Sequence, residues 1–360
     1  MVDIKLKDLE IINELDKYGP QISTTRISRN LNIPARTIRY RITKLKENKL
    51  LIPAFVFMHQ RKLGLGEHIL ILEENHKFNS KIMSFLNSFP IFYWHAQTYG
   101  KFNGFLVHSI FDLSKPDSNI KIVSEMKNRN LIKDFHIFQI VDYHHKSMNY
   151  LKYKPKSGWI INWDDLFKNI DNQNEISKIL NINLDKNFKL VDFDYKDILI
   201  LQQLSIDGSI TLQQLSHVLN LSKTQIRKRI LNLKEKRIIK VFKPIFSPIP
   251  KDQMLYLYCF IDIGKFKDEI IKFIFQIPFS FMFIFESNNK FCIRLNISRK
   301  DMISFINGFS LLKKYIDSYF LQFIFENPTA RNPELYELYN RDTKAWEIDI
   351  DGIISKIKKI

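Results

Sequence analysis

Apolar residues recur at two different spacings along the chain, and the spacing changes at matching places in each half. Between residues 9 and 15 they follow a helical spacing, and Ile38, Ile42 and Leu45 repeat it at i, i+4 and i+7. The run NKLLIPAFVF then shifts to a β-rich pattern. The pattern therefore predicts three short helices and a closing strand, which is the order of a winged helix-turn-helix.

After each helical segment the pattern reads strand, helix, strand, strand, helix, strand. The elements span about residues 68–72, 80–88, 92–99, 105–110, 119–128 and 135–143, and then about 255–263, 268–276, 281–286, 291–296, 299–314 and 319–325. This order predicts a ferredoxin-like α+β domain in each half.

The two halves are copies of one unit. The segment from Ile22 to Leu51 aligns without a gap with the segment from Ile210 to Ile239, and both contain the pattern IRxRIxxLKE. Two long units are too few for a solenoid, so we expect an α+β pseudo-dimer in one chain. The predicted division is winged helix-turn-helix 1 at 1–58, α+β domain 1 at 66–145, tail 1 at 146–188, winged helix-turn-helix 2 at 190–246, α+β domain 2 at 253–326 and tail 2 at 327–360.

Positive charge is concentrated in the two helical segments. Residues 23–49 hold eight basic side chains and one acidic one, and residues 211–243 hold nine and one. Together they account for 15 of the 17 excess positive charges of the chain. Nucleic acid is the acidic partner that this placement favours, and a solvated or protein-docking basic face is the alternative.

The third helix of each module presents its basic residues opposite an apolar back. In a helix-turn-helix, this helix enters the major groove while flanking cations hold phosphates. Arg41 and Arg229 fall near the buried edge, where a structural ion pair and a phosphate contact are both open. The predicted DNA-binding residues are Thr24, Arg36, Thr37, Arg39, Tyr40, Arg41 and Lys44 in the first module, and Lys223, Thr224, Gln225, Arg227, Lys228 and Arg229 in the second.

These segments resemble the Lrp/AsnC (feast/famine) transcription regulators of bacteria and archaea. The resemblance rests on LKDLEIINEL, on ISTTRISRNLNIPARTIRYRITKLKENKLL and on LGLGEHILIL, with LSKTQIRKRILNLKEKRIIKVFKPIF in the second half. It implies a sequence-specific regulator of double-stranded DNA whose two recognition helices read two half-sites. It also implies α+β domains that pair through their sheets and bind a small-molecule effector, with homodimers or larger homo-oligomers as further assemblies. The loops TYGKFNGF and ESNNKFCI depart from the pattern of a glycine and acidic residues that the family usually carries there, which argues against an amino-acid effector.

Histidines are concentrated in the first half, where His68, His95, His108 and His136 fall on four predicted strands. They could share a sheet face and form a metal, haem or pH-sensing site, or they could be unrelated half-buried positions. Siroheme decarboxylases resemble the same two-domain unit and use histidine-bearing α+β domains in pairs. Decarboxylation of a tetrapyrrole is therefore one alternative function. An architectural protein that binds DNA through phosphates alone is another.

Other classes are not supported by the sequence. Cys259 and Cys292 are the only cysteines, no CxxC pair occurs, and no phosphate-loop or hydrolase motif is present. The N-terminus lacks the apolar core of a signal peptide, and no run reaches the length of a membrane span. The sequence therefore predicts a cytoplasmic, non-enzymatic protein with no cofactor, no metal and no membrane contact.

Overall fold

A computed structural model describes residues 4–20, 22–154, 158–159, 162, 189–246, 253–263 and 267–360. Much of the predicted first tail, residues 163–188, lies outside the described residues. In the part of the chain that is described, no helix is long and apolar enough to cross a membrane.

The first half contains five α-helices and eight strands in its described residues. They are α1 (Leu6–Tyr18), α2 (Thr24–Leu31), α3 (Ala35–Glu47), β1 (Leu51–Met58), β2 (Leu65–Glu74), α4 (Asn79–Asn87), β3 (Trp94–Gly100), β4 (Gly104–Asp112), α5 (Ser118–Asn128), β5 (Ile132–Ile140), β6 (Asp142–Lys146), β7 (Tyr153–Lys154) and β8 (Gly158–Trp159).

The second half repeats the order with a longer described tail. It contains α6 (Tyr195–Ile206), α7 (Leu212–Leu219), α8 (Lys223–Glu235), β9 (Ile239–Phe246), β10 (Met254–Asp262), α9 (Lys267–Gln276), β11 (Phe281–Phe285), β12 (Lys290–Ser298), α10 (Arg299–Ser310), β13 (Ser318–Ile324), β14 (Thr329–Ala330), β15 (Tyr339–Asn340), β16 (Ala345–Trp346) and α11 (Ile350–Ile357). A 3-10 helix spans Asn332–Leu338.

The turn between the second and third helices of each module is built in the same way. Asn32 follows α2 and Asn220 follows α7, both in the left-handed conformation with φ of 53° and 50°. Asparagine tolerates this conformation better than most residues do. Ser23 caps α2 by accepting from the backbone N–H of Arg26, and Thr211 at the equivalent position caps α7 by accepting from that of Gln214. The repeated sequence thus specifies the helix-turn-helix through its caps.

Each α+β domain is an antiparallel four-stranded sheet with the ferredoxin-like order. The first runs β5-β2-β4-β3, and the second runs β13-β10-β12-β11. This arrangement confirms the predicted fold class, two winged helix-turn-helix modules that are each followed by a ferredoxin-like domain. The bounds of the six predicted segments stay predictions.

The two sheets join at both edges and close on each other. β3 pairs with β13 at one junction, and β6, which continues β5 across the domain boundary, pairs with β11 at the other. Val141, between β5 and β6, donates its backbone N–H to the carbonyl of Phe285 at 2.7 Å. The joined sheets therefore enclose an interior lined by both halves, as in a closed barrel.

The winged modules also cross between the halves. β1 and β9 pair with each other in a separate two-stranded sheet. The side-chain amine of Lys243 on β9 reaches Asp16 at the end of α1, and the N–H of Gly208 after α6 bonds to the carbonyl of Ala54 on β1. Each module therefore packs against the wing strand of the other copy.

Candidate functional site

Strand register defines which side chains line the barrel interior. In the first sheet His108 is the direct partner of Ile69 and of Trp94. In the second sheet Arg294 is the direct partner of Tyr258 and of Met282. Directly paired residues lie on the same face of a sheet. His108 and Arg294 therefore occupy equivalent positions in the two copies, one with a histidine and one with an arginine.

A hydrogen bond joins the two halves inside the barrel. The Nε2 atom of His108 lies 3.1 Å from the hydroxyl of Tyr258. His108 is 3% exposed and Tyr258 is fully buried. Burial, with a smaller contribution from the charge of Arg294, holds the pKa of His108 well below its usual value, so its imidazole is neutral. A neutral imidazole paired with a phenol can give or take a proton.

The guanidinium of Arg294 is surrounded by aromatic rings. Its central carbon lies 4.9 Å from the ring centroid of Trp94, 5.6 Å from that of Tyr258 and 5.9 Å from that of Tyr256. Rings at these distances stabilise a cation through their quadrupoles. Among the described residues no carboxylate lies within ion-pair distance of Arg294. Its hydrogen-bonding edge can therefore receive an anion from outside the protein.

A carboxyl group lies in the same interior. Glu67 at the start of β2 accepts hydrogen bonds from the hydroxyls of Tyr93 and Tyr143 at 2.8 and 2.7 Å. Burial raises the pKa of Glu67 to about 7, although the two tyrosine hydrogen bonds act in the opposite direction. The ring of Tyr93 lies 6.0 Å from that of His108, edge to face. The carboxyl group and the histidine thus belong to one buried polar cluster.

The four strand histidines do not share one face. His136 pairs with Ile71 and lies in the interior with His108, where its ring contacts Phe320 at 5.2 Å. His68 faces the helices, because its Nδ1 lies 3.2 Å from the amide of Asn119 on α5. His95 has the register of the helix-facing side as well. The described residues contain no group of three or more potential metal ligands.

The predicted DNA-binding residues of the first module lie along the surface of α3 and the start of α2. Arg36, Arg39, Tyr40 and Lys44 are exposed, with Tyr40 at 62%, whereas Thr24 and Thr37 are half-buried. Lys44 bonds to Glu47 at 2.7 Å one turn away.

The second module shows a comparable surface on α8. Lys223, Thr224, Gln225, Arg227 and Lys228 are all exposed. The side-chain oxygen of Gln225 accepts the N–H of Ser222 at 3.0 Å and completes a capping box. This oxygen is therefore already used in folding the helix.

The third-helix arginines near the buried edge form ion pairs. Arg41 bonds to Asp8 on α1 at 2.8 Å. Arg229 bonds to both Asp194 and Asp197 at the start of α6, each at 2.8 Å. In both modules this arginine links the third helix to the first. Of the two alternatives left open for these residues, an ion pair or a phosphate contact, the structure shows the ion pair.

Sequence reasoning missed most of the barrel cluster. Glu67, Tyr93, Tyr143, Tyr258 and Arg294 were not among the predicted site residues. A signal was present, because Glu67 and Arg294 interrupt strands of apolar residues in LGLGEHILIL and FCIRLNIS. A charged side chain in such a strand is costly to bury without a partner.

Comparison with known families first defines the class of the helical modules. The family described as winged helix-turn-helix DNA-binding matches residues 5–51 and again residues 193–240. No curated protein matches the chain significantly.

Solved structures resemble either the whole chain or one unit of it. The siroheme decarboxylase NirDL covers 98% of this chain and 99% of its own, at 11% identity and a TM-score of 0.59. Its complex with an iron-uroporphyrin III analogue covers 89% and 92%, at 12% identity and a TM-score of 0.50. AsnC of E. coli covers 39% of this chain and 94% of its own, at 15% identity and a TM-score of 0.31.

This full-length likeness corrects two predictions made from the sequence. The chain was predicted to be a sequence-specific transcription regulator and not an enzyme, yet a solved enzyme, NirDL, shares its tandem architecture along nearly the whole length. The prediction rested on the exposed basic helices as the functional surface, whereas the buried polar groups that could carry chemistry lie in the barrel. The siroheme-decarboxylase alternative is the better supported one.

Proposed function

We propose that the chain is a decarboxylase that acts on the carboxylate side chains of a tetrapyrrole of the siroheme type, with the barrel interior as its active site. One observation carries the proposal. An arginine without an anionic partner among the described residues, Arg294, lies beside the buried His108–Tyr258 hydrogen bond. The full-length likeness to NirDL supports the choice of substrate class.

Arg294 would hold a carboxylate of the substrate. Guanidinium binds carboxylate through two parallel hydrogen bonds, which fix the orientation as well as the charge. Trp94 and Tyr256 border Arg294 and offer flat apolar surfaces to a macrocycle. Arg294 and Tyr256 are half-buried, so this side of the cluster is accessible to a ligand.

His108 and Tyr258 would supply the proton. Decarboxylation breaks the bond between carbon and carboxylate, CO2 leaves, and the electron pair that stays on carbon must be protonated. A positioned acid in a buried site speeds such a step by about 100-fold to 10,000-fold. Tyr258 keeps its proton at neutral pH, because burial raises its pKa. Its hydroxyl is therefore a donor rather than a phenolate.

The test is turnover of siroheme by the purified full chain, followed by mass spectrometry of the tetrapyrrole. The expected product has lost carboxyl groups as CO2. The change Tyr258→Phe should reduce the rate about 100-fold, since it removes the donor and leaves the ring in place. Siroheme that stays intact with the wild-type chain, in a reaction where NirDL converts it, would rule out the function.

We also propose that the winged modules contact duplex DNA. The supporting observation is the exposure of basic side chains on α3 and α8, which the description of the matching family model also favours. This proposal concerns contact with duplex DNA, not sequence-specific regulation. The proposed contact residues are Thr24, Arg36, Thr37, Arg39, Tyr40 and Lys44, with Lys223, Thr224, Arg227 and Lys228.

Binding to a labelled duplex at several salt concentrations tests this contact. The affinity should fall steeply with salt, and the paired change Lys223→Ala and Lys228→Ala should make that dependence shallower, because fewer counterions are released. The change Lys359→Ala, on an exposed residue after α11, is the matched control. Absence of binding at low salt would exclude DNA as a partner.

A further inference from the structure

An imidazole and a phenyl ring from the two halves meet at the end of the barrel that the turn between β3 and β4 borders. The strand register that equates His108 with Arg294 also equates His136 on β5 with Phe320 on β13. The ring centroids of His136 and Phe320 lie 5.2 Å apart, and both side chains are half-buried. Solvent therefore reaches this end of the interior.

The turn between β3 and β4 brings an ammonium group to these rings. The amine of Lys101 lies 4.9 Å from the ring centroid of Phe320 and 5.6 Å from that of Phe102. Gln322 on β13 bonds through its side chain to both backbone groups of Phe102, and the N–H of Lys101 donates to the carbonyl of Leu321. These bonds fix the backbone of the turn against β13 and with it the position of Lys101.

The polar groups at this end have no acceptor of their own. Among the described residues, neither the amine of Lys101 nor the ring nitrogens of His136 have a hydrogen-bond or ion-pair partner. Burial, followed by the charges of Lys101 and Lys290, lowers the pKa of His136, so its imidazole is neutral at pH 7 and keeps one N–H donor. Lys290 differs from Lys101, because its amine lies 3.7 Å from Asp262.

These contacts define the kind of ligand that the end of the barrel suits. A carboxylate can accept a hydrogen bond from an ammonium group and another from an imidazole N–H. The half-buried rings of Phe102 and Phe320 offer apolar surface to a flat body beside that carboxylate. A planar molecule with carboxylates along its edge combines both features, and a tetrapyrrole of the siroheme type has this form.

Closely packed rings separate this end from the His108–Tyr258 pair. Phe260 stacks on Phe320 with ring centroids 4.6 Å apart, and its ring lies 6.4 Å from that of Tyr258. Phe260 is 3% exposed and Tyr258 is fully buried. A ligand beside Lys101 therefore does not reach Tyr258 unless these rings move, so the two places bind separately.

We propose that Lys101, His136, Phe102 and Phe320 form a second binding site for a tetrapyrrole carboxylate, apart from the one that Arg294 serves. Lys101 and His136 hold a carboxylate at the edge of the macrocycle, and the phenyl rings pack against its plane. The choice of a tetrapyrrole rests on the proposed function, whereas the site rests on its own contacts. No bond is made or broken there, so the site adds binding capacity and no catalytic step.

The experiment titrates the full chain with metal-free uroporphyrin III and follows porphyrin fluorescence, with equilibrium dialysis to count the bound molecules. The wild type should bind two molecules per chain. The change Lys101→Met keeps the length of the side chain and removes its charge, so it should weaken one of the two sites about tenfold. His136→Phe should weaken the same site, and Arg294→Gln should weaken the other.

Lys127→Met is the matched control. The amine of Lys127 also lies over a phenyl ring, 5.7 Å from the centroid of Phe135, but it is paired with Asp134 at 2.7 Å. This variant should bind two molecules with the affinity of the wild type. A tetracationic porphyrin, which has the same flat body and the opposite charge, should not compete for the Lys101 site.

The outcomes separate this inference from the proposed function. One bound molecule per wild-type chain, with an affinity that Lys101→Met leaves unchanged, would overturn the second site. So would an equal loss of affinity in Lys101→Met and Lys127→Met, because it would reflect general attraction to positive charge. Conversion of siroheme with binding that depends on Arg294 alone would keep the function and reject the second site. Binding of uroporphyrin that depends on Lys101, in a chain that never converts siroheme, would keep the site and reject the function.

Discussion

At the scale of single residues, the barrel interior combines groups that are costly to bury. Glu67, His108 and Arg294 lie among apolar side chains, and each is accommodated differently. The carboxyl group accepts hydrogen bonds from two phenols, the imidazole stays neutral and the guanidinium contacts aromatic rings. Such arrangements reduce stability and are found where chemistry or binding requires them.

The pH dependence of folding stability should reveal the burial of Glu67. Its folded pKa of about 7 lies above the ordinary value of 4.5, so between these values the folded chain holds a proton that the unfolded chain has released. Stability therefore falls as the pH rises through this window and levels off above it, by on the order of 3 kcal/mol.

The variant Glu67→Gln lacks this titrating group. Its free energy of unfolding relative to that of the wild type should therefore rise by about 2 to 3 kcal/mol between pH 5 and pH 8. Urea unfolding of both proteins at the two pH values measures the difference. The buried histidines contribute equally to both proteins and cancel. Equal differences at the two pH values would show that the carboxyl is ionised throughout.

Arg294 should govern affinity more than rate. Arg294→Gln removes the guanidinium and should weaken siroheme binding about tenfold to 100-fold, since a charge-assisted hydrogen bond contributes about 1.5 to 3 kcal/mol. Titration followed by the visible absorption of the tetrapyrrole gives the dissociation constant. Arg299→Gln, an exposed arginine at the start of α10, is the control. An unchanged affinity would place the carboxylate elsewhere.

At the scale of helices and strands, the spacing of apolar residues predicted the elements that interactions between neighbouring residues stabilise. The helical spacing around Ile38 and the caps at Ser23 and Ser222 specify the winged modules, and alternating strands specify each ferredoxin-like sheet. The junctions of β3 with β13 and of β6 with β11 join residues far apart in sequence, so no local period indicates them. For the same reason Glu67 was overlooked beside His68, although Glu67 faces the interior and His68 faces a helix.

The ion pairs of Arg229 lead to a prediction about the stability of the second winged module. Arg229→Ala leaves Asp197, which is 4% exposed, without its cation, and should destabilise the module by about 1 to 3 kcal/mol. Arg227→Ala, on the exposed side of the same helix, should leave stability within about 0.5 kcal/mol. Thermal unfolding of both variants measures the contrast. Equal stabilities would mean that the pair does not hold α8 against α6.

At the scale of the whole molecule, Gln322 links the two halves through hydrogen bonds. It is fully buried on β13 and bonds through its amide to the hydroxyl of Thr98 and to both backbone groups of Phe102 in the first half. Gln322→Leu removes the partner of both backbone groups of Phe102, whereas the hydroxyl of Thr98 still donates to the carbonyl of Phe323, and the change should cost about 2 to 3 kcal/mol. Urea unfolding tests it, with Gln139→Leu at an exposed position as the control. A cost no larger than that of the control would show that the junction is held by other contacts.

The equivalence of His108 and Arg294 has a consequence for how such a site can arise. A dimer of identical chains must place the same residue at both positions, so it can carry two histidines or two arginines but never one of each. Joining the copies in one gene removes that restriction, because a mutation then changes one wall of the barrel and leaves the other alone. A proton donor and an anion holder can then evolve separately across a shared interior, which a symmetric ancestor could not have achieved.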